Sequence, residues 1–173
     1  MNLPVPTTRD VQPSAAGDQY LAFHSRDLAL ALPIAGIREI VEIGQITEVP
    51  RMPAAVRGVI NLRGNVVSVL DLGARLQGER SAIQRRSCIV VMDLPLAGEV
   101  RPMGLLVDAV DAVFELEPEA IEPAPSFGAR IDSDCIAGMA RRGDGFTAIL
   151  RAERLLDGAL PAESAALVLT HDA

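Results

Sequence analysis

The stretch Val56-Arg57-Gly58-Val59-Ile60-Asn61-Leu62, then Arg63-Gly64-Asn65, then Val66-Val67-Ser68-Val69-Leu70 sets two β-branched runs around a Gly-containing turn, the pattern of a β-hairpin. Both runs are apolar at odd and even positions, so these strands are expected to be central or covered on both faces. Asp71-Leu72-Gly73-Ala74-Arg75-Leu76 follows as a capped helical turn, and 77–86 is polar.

Working outward, Tyr20-Leu21-Ala22-Phe23 and Leu28-Ala29-Leu30-Ala31-Leu32 read as a hairpin across Ser25-Arg26-Asp27. The spacing of Ile34, Ile37, Ile40 and Val41, with Arg38, Glu39 and Glu42 between them, predicts a short amphipathic helix. Further strands are expected at Cys88–Met92, Met103–Val107, Ala112–Leu116 and Cys135–Ala140. Pro95 to Pro102, with Gly98 inside, reads as a loop longer than a tight turn. A turn at Arg142-Gly143-Asp144-Gly145 leads into Phe146–Leu150, and a short helix is expected over Arg151–Leu156. Residues 1–17 read as a flexible arm and 158–173 as a tail, leaving 18–157 as the folded part. Many short strands with brief helices indicate an all-β barrel or sandwich, and no long crossover helix is available for a doubly wound parallel sheet. No sustained repeat is present. Both halves nevertheless hold a hairpin with a Gly turn followed by a short helix, which supports two similar subdomains.

Composition narrows the chemistry. The chain has 173 residues with 16 basic and 23 acidic side chains, a net charge of −7. Every basic side chain is Arg, so no lysine is present to act as a P-loop, Schiff-base or general-base residue. Aromatics make up 3%, which disfavours a stacking platform for single-stranded nucleic acid, and the acidic balance disfavours nonspecific duplex binding. Cys88 and Cys135 stand far apart, as do His24 and His171, and neither pair gives a metal-ligand spacing or a disulfide framework. Residues 143–148 fit a relaxed dinucleotide motif, but the helix such a motif needs does not follow. Asp132-Ser133-Asp134 begins like a calcium loop, yet Ala137 stands where glycine is required. Glu115, Glu117, Glu119 and Glu122 form an acidic edge with no His or Lys nearby in sequence. An enzyme, a metal site and a bound cofactor are therefore not expected. The opening MNLPVPTTRD has no apolar core of signal-peptide length, and the expectation is a cytoplasmic protein.

Charge is segregated along the chain. Residues 51–86 carry seven arginines against two carboxylates, a net of +5, whereas 93–134 carry ten carboxylates against two arginines, a net of −8. Opposite fields on one small body suit oriented protein docking.

From Pro53 to Leu72 the sequence closely resembles the CheW family of bacterial chemotaxis coupling proteins, through Arg57-Gly58-Val59-Ile60-Asn61-Leu62-Arg63-Gly64 and the closing Asp71-Leu72. Ile37-Arg38-Glu39-Ile40, Gly104 to Val110, Ile121-Glu122-Pro123-Ala124-Pro125 and Ile136-Ala137-Gly138 extend the resemblance over about 18–157. It implies a mostly β fold of two small five-stranded SH3-like barrels around a shared core, with short helices. It also implies a noncatalytic adaptor that bridges the cytoplasmic tips of methyl-accepting chemoreceptors to the regulatory domain of a CheA-type histidine kinase, recruited to membrane-associated arrays without inserting into the bilayer. Ile37, Glu39, Arg57, Gly58 and Arg63 match family positions implicated in receptor coupling or its support. By chemistry alone each keeps two readings. Arg63 either offers donors to a partner or knits its own turn. Gly58 either permits a close backbone approach or relieves a bulge. Ile37 and Glu39 are either docking groups or the core and solvent faces of a helix, and Arg57 is either a docking group or a solvated strand residue. A small-molecule sensor using the groove between barrels is the alternative function.

Overall fold

The computed structural model describes residues 18–96, 98–124, 131 and 133–157. The predicted arm at 1–17 and tail at 158–173 lie outside the described residues.

Among the described residues, ten strands form two five-stranded sheets. In chain order they are β1 (Asp18–Ser25), β2 (Leu28–Pro33), β3 (Ile37–Glu42), β4 (Val56–Leu62), β5 (Asn65–Asp71), β6 (Cys88–Leu96), β7 (Glu99–Val107), β8 (Ala109–Leu116), β9 (Ile136–Arg142) and β10 (Gly145–Leu150). The sheet orders are β3-β6-β7-β5-β4 and β8-β1-β2-β10-β9. These are the two SH3-like subdomains.

A constant offset of 80 residues relates parts of the two subdomains. Val56 pairs with Leu70 and Gly58 with Val69 around a bulge, while Ile136 pairs with Leu150 and Gly138 with Ile149 around the corresponding bulge. The Asp71 amide donates to Ala55 O, and the Arg151 amide to Cys135 O. An isolated bridge covers the outer side of each edge strand, Thr47 to Val59 and Glu122 to Met139. Parallel seams complete the match: β5 runs beside β7, and β10 beside β2. The first sheet uses five consecutive strands. The second is a circular permutation, in which β1–β2 from the start of the chain fills the place that β6–β7 takes in the first.

This arrangement explains strands that are apolar on both faces. Within the first sheet, Val69, Ile89, Val91 and Leu106 point to a private core, whereas Leu70, Val90, Met92 and Leu105 point to a large core shared with the second sheet. Leu21, Phe23, Leu30, Leu32 and Leu150 supply the other half of that shared core, while Tyr20, Ala31 and Ile149 line the second private one. Arg75 adds a polar tie by donating to the carbonyls of Leu155, Arg154 and Asp157.

Four expectations are corrected. Residues 37–42 are strand β3, not a helix; only Ile34–Gly36 makes a 3-10 turn. The isoleucine spacing fitted a helical stripe, but Ile37, Glu39 and Val41 also alternate, and pairing with β6 favours the extended form. Ile40, placed on the apolar stripe, is 44% exposed. Second, 93–96 and 99–102 form a two-stranded ribbon in which Pro95 pairs with Val100 and Pro102 with Asp93. β6 meets β3 only as far as Met92, and β7 meets β5 only from Met103, so each proline lies where no further strand asks for its amide. The ribbon buries Leu94 and Leu96 in the shared core. Third, of the two strands expected to be central or covered on both faces, β5 lies inside its sheet, whereas β4 ends it, with the Thr47 bridge on its free side. Fourth, the helix expected at 151–156 is one 3-10 turn, Ala152–Arg154.

Candidate functional site

The β4–β5 hairpin turns on Arg63 and Gly64, whose φ angles of 52° and 88° are both positive, as a two-residue type I′ turn requires. Asn61 Oδ1 accepts from the Gly64 amide at 2.8 Å and fixes the turn. Arginine is a strained choice for that backbone, and its side chain shows what holds it. Arg63 makes a two-pronged contact with Glu39 on β3: Nη1 donates to Oε1 at 3.1 Å and Nη2 to Oε2. β3 and β4 are opposite ends of the sheet, so this pair marks the closure of the barrel. Arg63 is 69% exposed, and its outer surface remains open.

Around the pair lies a depression of about 560 Å³, lined by Arg38, Glu39, Leu62, Arg63, Val66 and Arg101 among others. Arg38 reaches Asp93 at 3.6 Å. The surface combines guanidinium donors, one carboxylate and aliphatic side chains. It holds no nucleophile beside a base. It can bind a protein surface through charge-assisted hydrogen bonds and apolar contact.

The hydrogen bonds from Arg63 hold the Glu39 carboxyl below its ordinary value. A lowered folded-state value means that the pair stabilises the fold at neutral pH and that this contribution is lost only as pH falls through the lowered value. In a carbon-detected NMR titration, Glu39 is expected to titrate below the ordinary glutamate range, and Arg63→Ala to return it to that range.

The other predicted residues sit elsewhere. Ile37 is half-buried against the shared core, at the start of β3 where the subdomains meet. Arg57 points inward, donating through Nη1 to Asp71 Oδ2 and to Ser81 O, both at 2.8 Å. Gly58 satisfies both of its readings at once: it ends the β4 bulge, and a Cβ there would lie 2.1 Å from Thr47 O. The structure thus brings Glu39 and Arg63 together on the surface and places Arg57 and Gly58 in the framework behind them.

The framework centres on Asp71, which is fully buried. It caps helix α1 (Leu72–Gln77) by accepting the Ala74 amide at 3.0 Å, and it also accepts the Ser81 amide at 2.9 Å and the Ser81 hydroxyl at 3.1 Å. The cap was legible in the sequence, but the partnership with Arg57 and Ser81 was not. Cys88, half-buried, has its thiol pushed up by burial, away from thiolate chemistry. Among the described residues no group of three His, Cys, Asp or Glu side chains is placed to hold a metal. No helix among them is long and apolar enough to cross a membrane.

Residues 19–160 match the family model of the CheW-like domain. The chain belongs to the CheW family. It is 34% identical over 124 residues to a probable chemotaxis protein CheW of Rhizobium etli, covering 71% of this chain and 77% of that protein. It is 27% identical over 140 residues to chemotaxis protein CheW of Klebsiella aerogenes, covering 81% and 82%. The crystal structure of the scaffolding protein TtCheW from Thermoanaerobacter tengcongensis superposes with a TM-score of 0.72 at 28% identity, covering 82% of this chain and 88% of that one. The CheW-like region therefore takes in both subdomains and every residue of the Arg63 surface.

Proposed function

We propose that this chain is a noncatalytic adaptor that couples chemoreceptors to a CheA-type histidine kinase in a chemosensory array. The observation that carries this is the CheW-like domain over 19–160, together with an exposed Arg63–Glu39 surface built for docking rather than for bond making. The receptor tip docks on the face bearing Glu39 and Arg63, Ile37 seats the start of β3 on the shared core, and Arg57 and Gly58 hold the β4 backbone behind that face. The regulatory domain of the kinase binds the exposed edges of the barrels. The adaptor works in the cytoplasm and reaches the membrane through its partners.

Among the described residues, nothing in the geometry favours the small-molecule sensor weighed from the sequence. The depression at Arg63 is a charged surface feature, and aliphatic side chains fill the inward faces of both sheets.

The test is Arg63→Glu. Charge reversal sets two carboxylates against each other on the docking face, and receptor coupling is expected to weaken by at least about tenfold in co-sedimentation with receptor-bearing membranes. An exposed pair contributes little to folding, so the melting temperature is expected to move by no more than about 3 °C. A variant that melts much earlier and loses coupling in proportion would make Arg63 a structural residue only.

A further inference from the structure

We infer that the loop between α1 and β6, residues 78–87, is a second docking point, shaped for an acidic protein segment that carries an aliphatic side chain. The loop has no regular structure, yet it is pinned at both ends. Upstream, the Ser81 amide and hydroxyl donate to Asp71, Arg57 donates to Ser81 O, and Arg80 donates to the carbonyls of Ala54 at 3.1 Å and Val56 at 3.2 Å. Arg26 holds Glu79 at 2.7 Å. Downstream, the Gln84 amide donates to Ser87 Oγ at 2.8 Å and the Ser87 amide to Gln84 O at 3.1 Å.

Residues 82–86 are all exposed, and among them one large aliphatic group and two guanidinia stand out. Ile83 is 46% exposed. Arg85 and Arg86 are both exposed and make no hydrogen bond or ion pair among the described residues. Arg57, Arg63, Arg75 and Arg80, from the same basic stretch, are all committed to internal partners. A backbone already ordered, presenting one aliphatic group and two unpartnered guanidinia, loses little conformational freedom when a partner arrives.

The chemistry of the site selects the partner. Ile83, Arg85 and Arg86 border a depression of about 660 Å³ whose other wall includes Glu42, Ile43 and Cys88. Guanidinium forks match carboxylates in two-pronged geometry, and Ile43 with Ile83 offers apolar contact for a side chain between them. Glu42 on the rim repels a continuous polyanion, and the net charge of −7 acts in the same direction. A peptide that places carboxylates over Arg85 and Arg86 alone avoids that repulsion, whereas a phosphodiester backbone or an anionic bilayer does not. The depression shares no lining residue with the one at Arg63, so a partner held here leaves the Arg63 surface free. The inference does not depend on the receptor and kinase assignments.

The experiment titrates the full ¹⁵N-labelled chain with a synthetic peptide of glutamate and leucine, and in parallel with inorganic phosphate and with vesicles of phosphatidylcholine and phosphatidylglycerol. The peptide is expected to shift the amides of Ile43, Gly44 and Ile83 to Cys88 saturably. Arg85→Glu with Arg86→Glu should weaken it by at least about tenfold, and Ile83→Ser should weaken it several-fold, with melting unchanged because these side chains have no internal partner. If the charge-reversed chain melts early, Arg85→Gln with Arg86→Gln carries the same test. No saturable shift, a shift that survives the arginine changes, or phosphate or vesicles binding through these arginines where the peptide does not, would each overturn the inference. So would sedimentation showing that the loop is occupied by a second copy of the chain.

Discussion

Asp71→Ala is expected to destabilise the protein by about 3–5 kcal/mol, the range for removing one partner of a buried ion pair. The carboxylate is fully buried and accepts four hydrogen bonds, from Ala74 N, Ser81 N, Ser81 Oγ and Arg57 Nη1. Without it, a guanidinium with only 18% of its side chain exposed loses its counter-charge, α1 loses its cap, and 78–87 loses its upstream pin. Urea unfolding should show a lower midpoint with an unchanged slope. Arg57→Ala in the same background should then cost less than it does alone, because the pair acts as one unit. A destabilisation of Asp71→Ala of only about 0.5 kcal/mol, the level of an ordinary surface change, would show that the network is not what holds β4, α1 and the loop together.

The second large effect is at Gly58. Its φ of 142° lies where L side chains are strained, and its Cβ would meet Thr47 O at 2.1 Å and Thr47 C at 2.8 Å. Gly58→Ala must therefore displace the Thr47 strap, breaking hydrogen bonds of 2.9 Å and 2.8 Å between Thr47 and Val59 in addition to the backbone strain. The expected cost is about 3 kcal/mol or more, with loss of hydrogen-exchange protection at the Thr47 and Val59 amides. Gly64→Ala is the control. Its φ is also positive, but nothing lies within 4 Å of the added Cβ, so only the backbone term of about 1–2 kcal/mol applies and the strap stays protected.

These two positions show what could be read from sequence. The hairpin of β4 and β5, its Arg63-Gly64 turn and the Asp71 cap follow from local pattern and turn chemistry, which act within a few residues. β3 was misread because Ile37, Ile40 and Val41 have helical spacing, and only pairing with the neighbouring β6 makes the segment extended and leaves Ile40 on the outer face. Pro95 and Pro102 read as loop markers because a sequence does not reveal where the flanking strands stop. The polar partners were out of reach for a related reason: Arg63 finds Glu39 at a separation of 24, and Ser81 meets Asp71 at a separation of 10, through closure of the barrel and the fold of an irregular loop. The repeat stayed hidden because the second copy is permuted, with β1–β2 at one end of the chain and β8–β10 at the other.

In the proposed function this protein acts by holding two others together. The most direct test is sedimentation of the purified chain with membranes bearing the cognate receptor and with the CheA-type kinase from the same cell. The kinase is expected to reach the pellet only when the chain is present, and Arg63→Glu is expected to leave it in the supernatant. Kinase that pellets equally well without the chain, or a chain that binds neither partner, would contradict it.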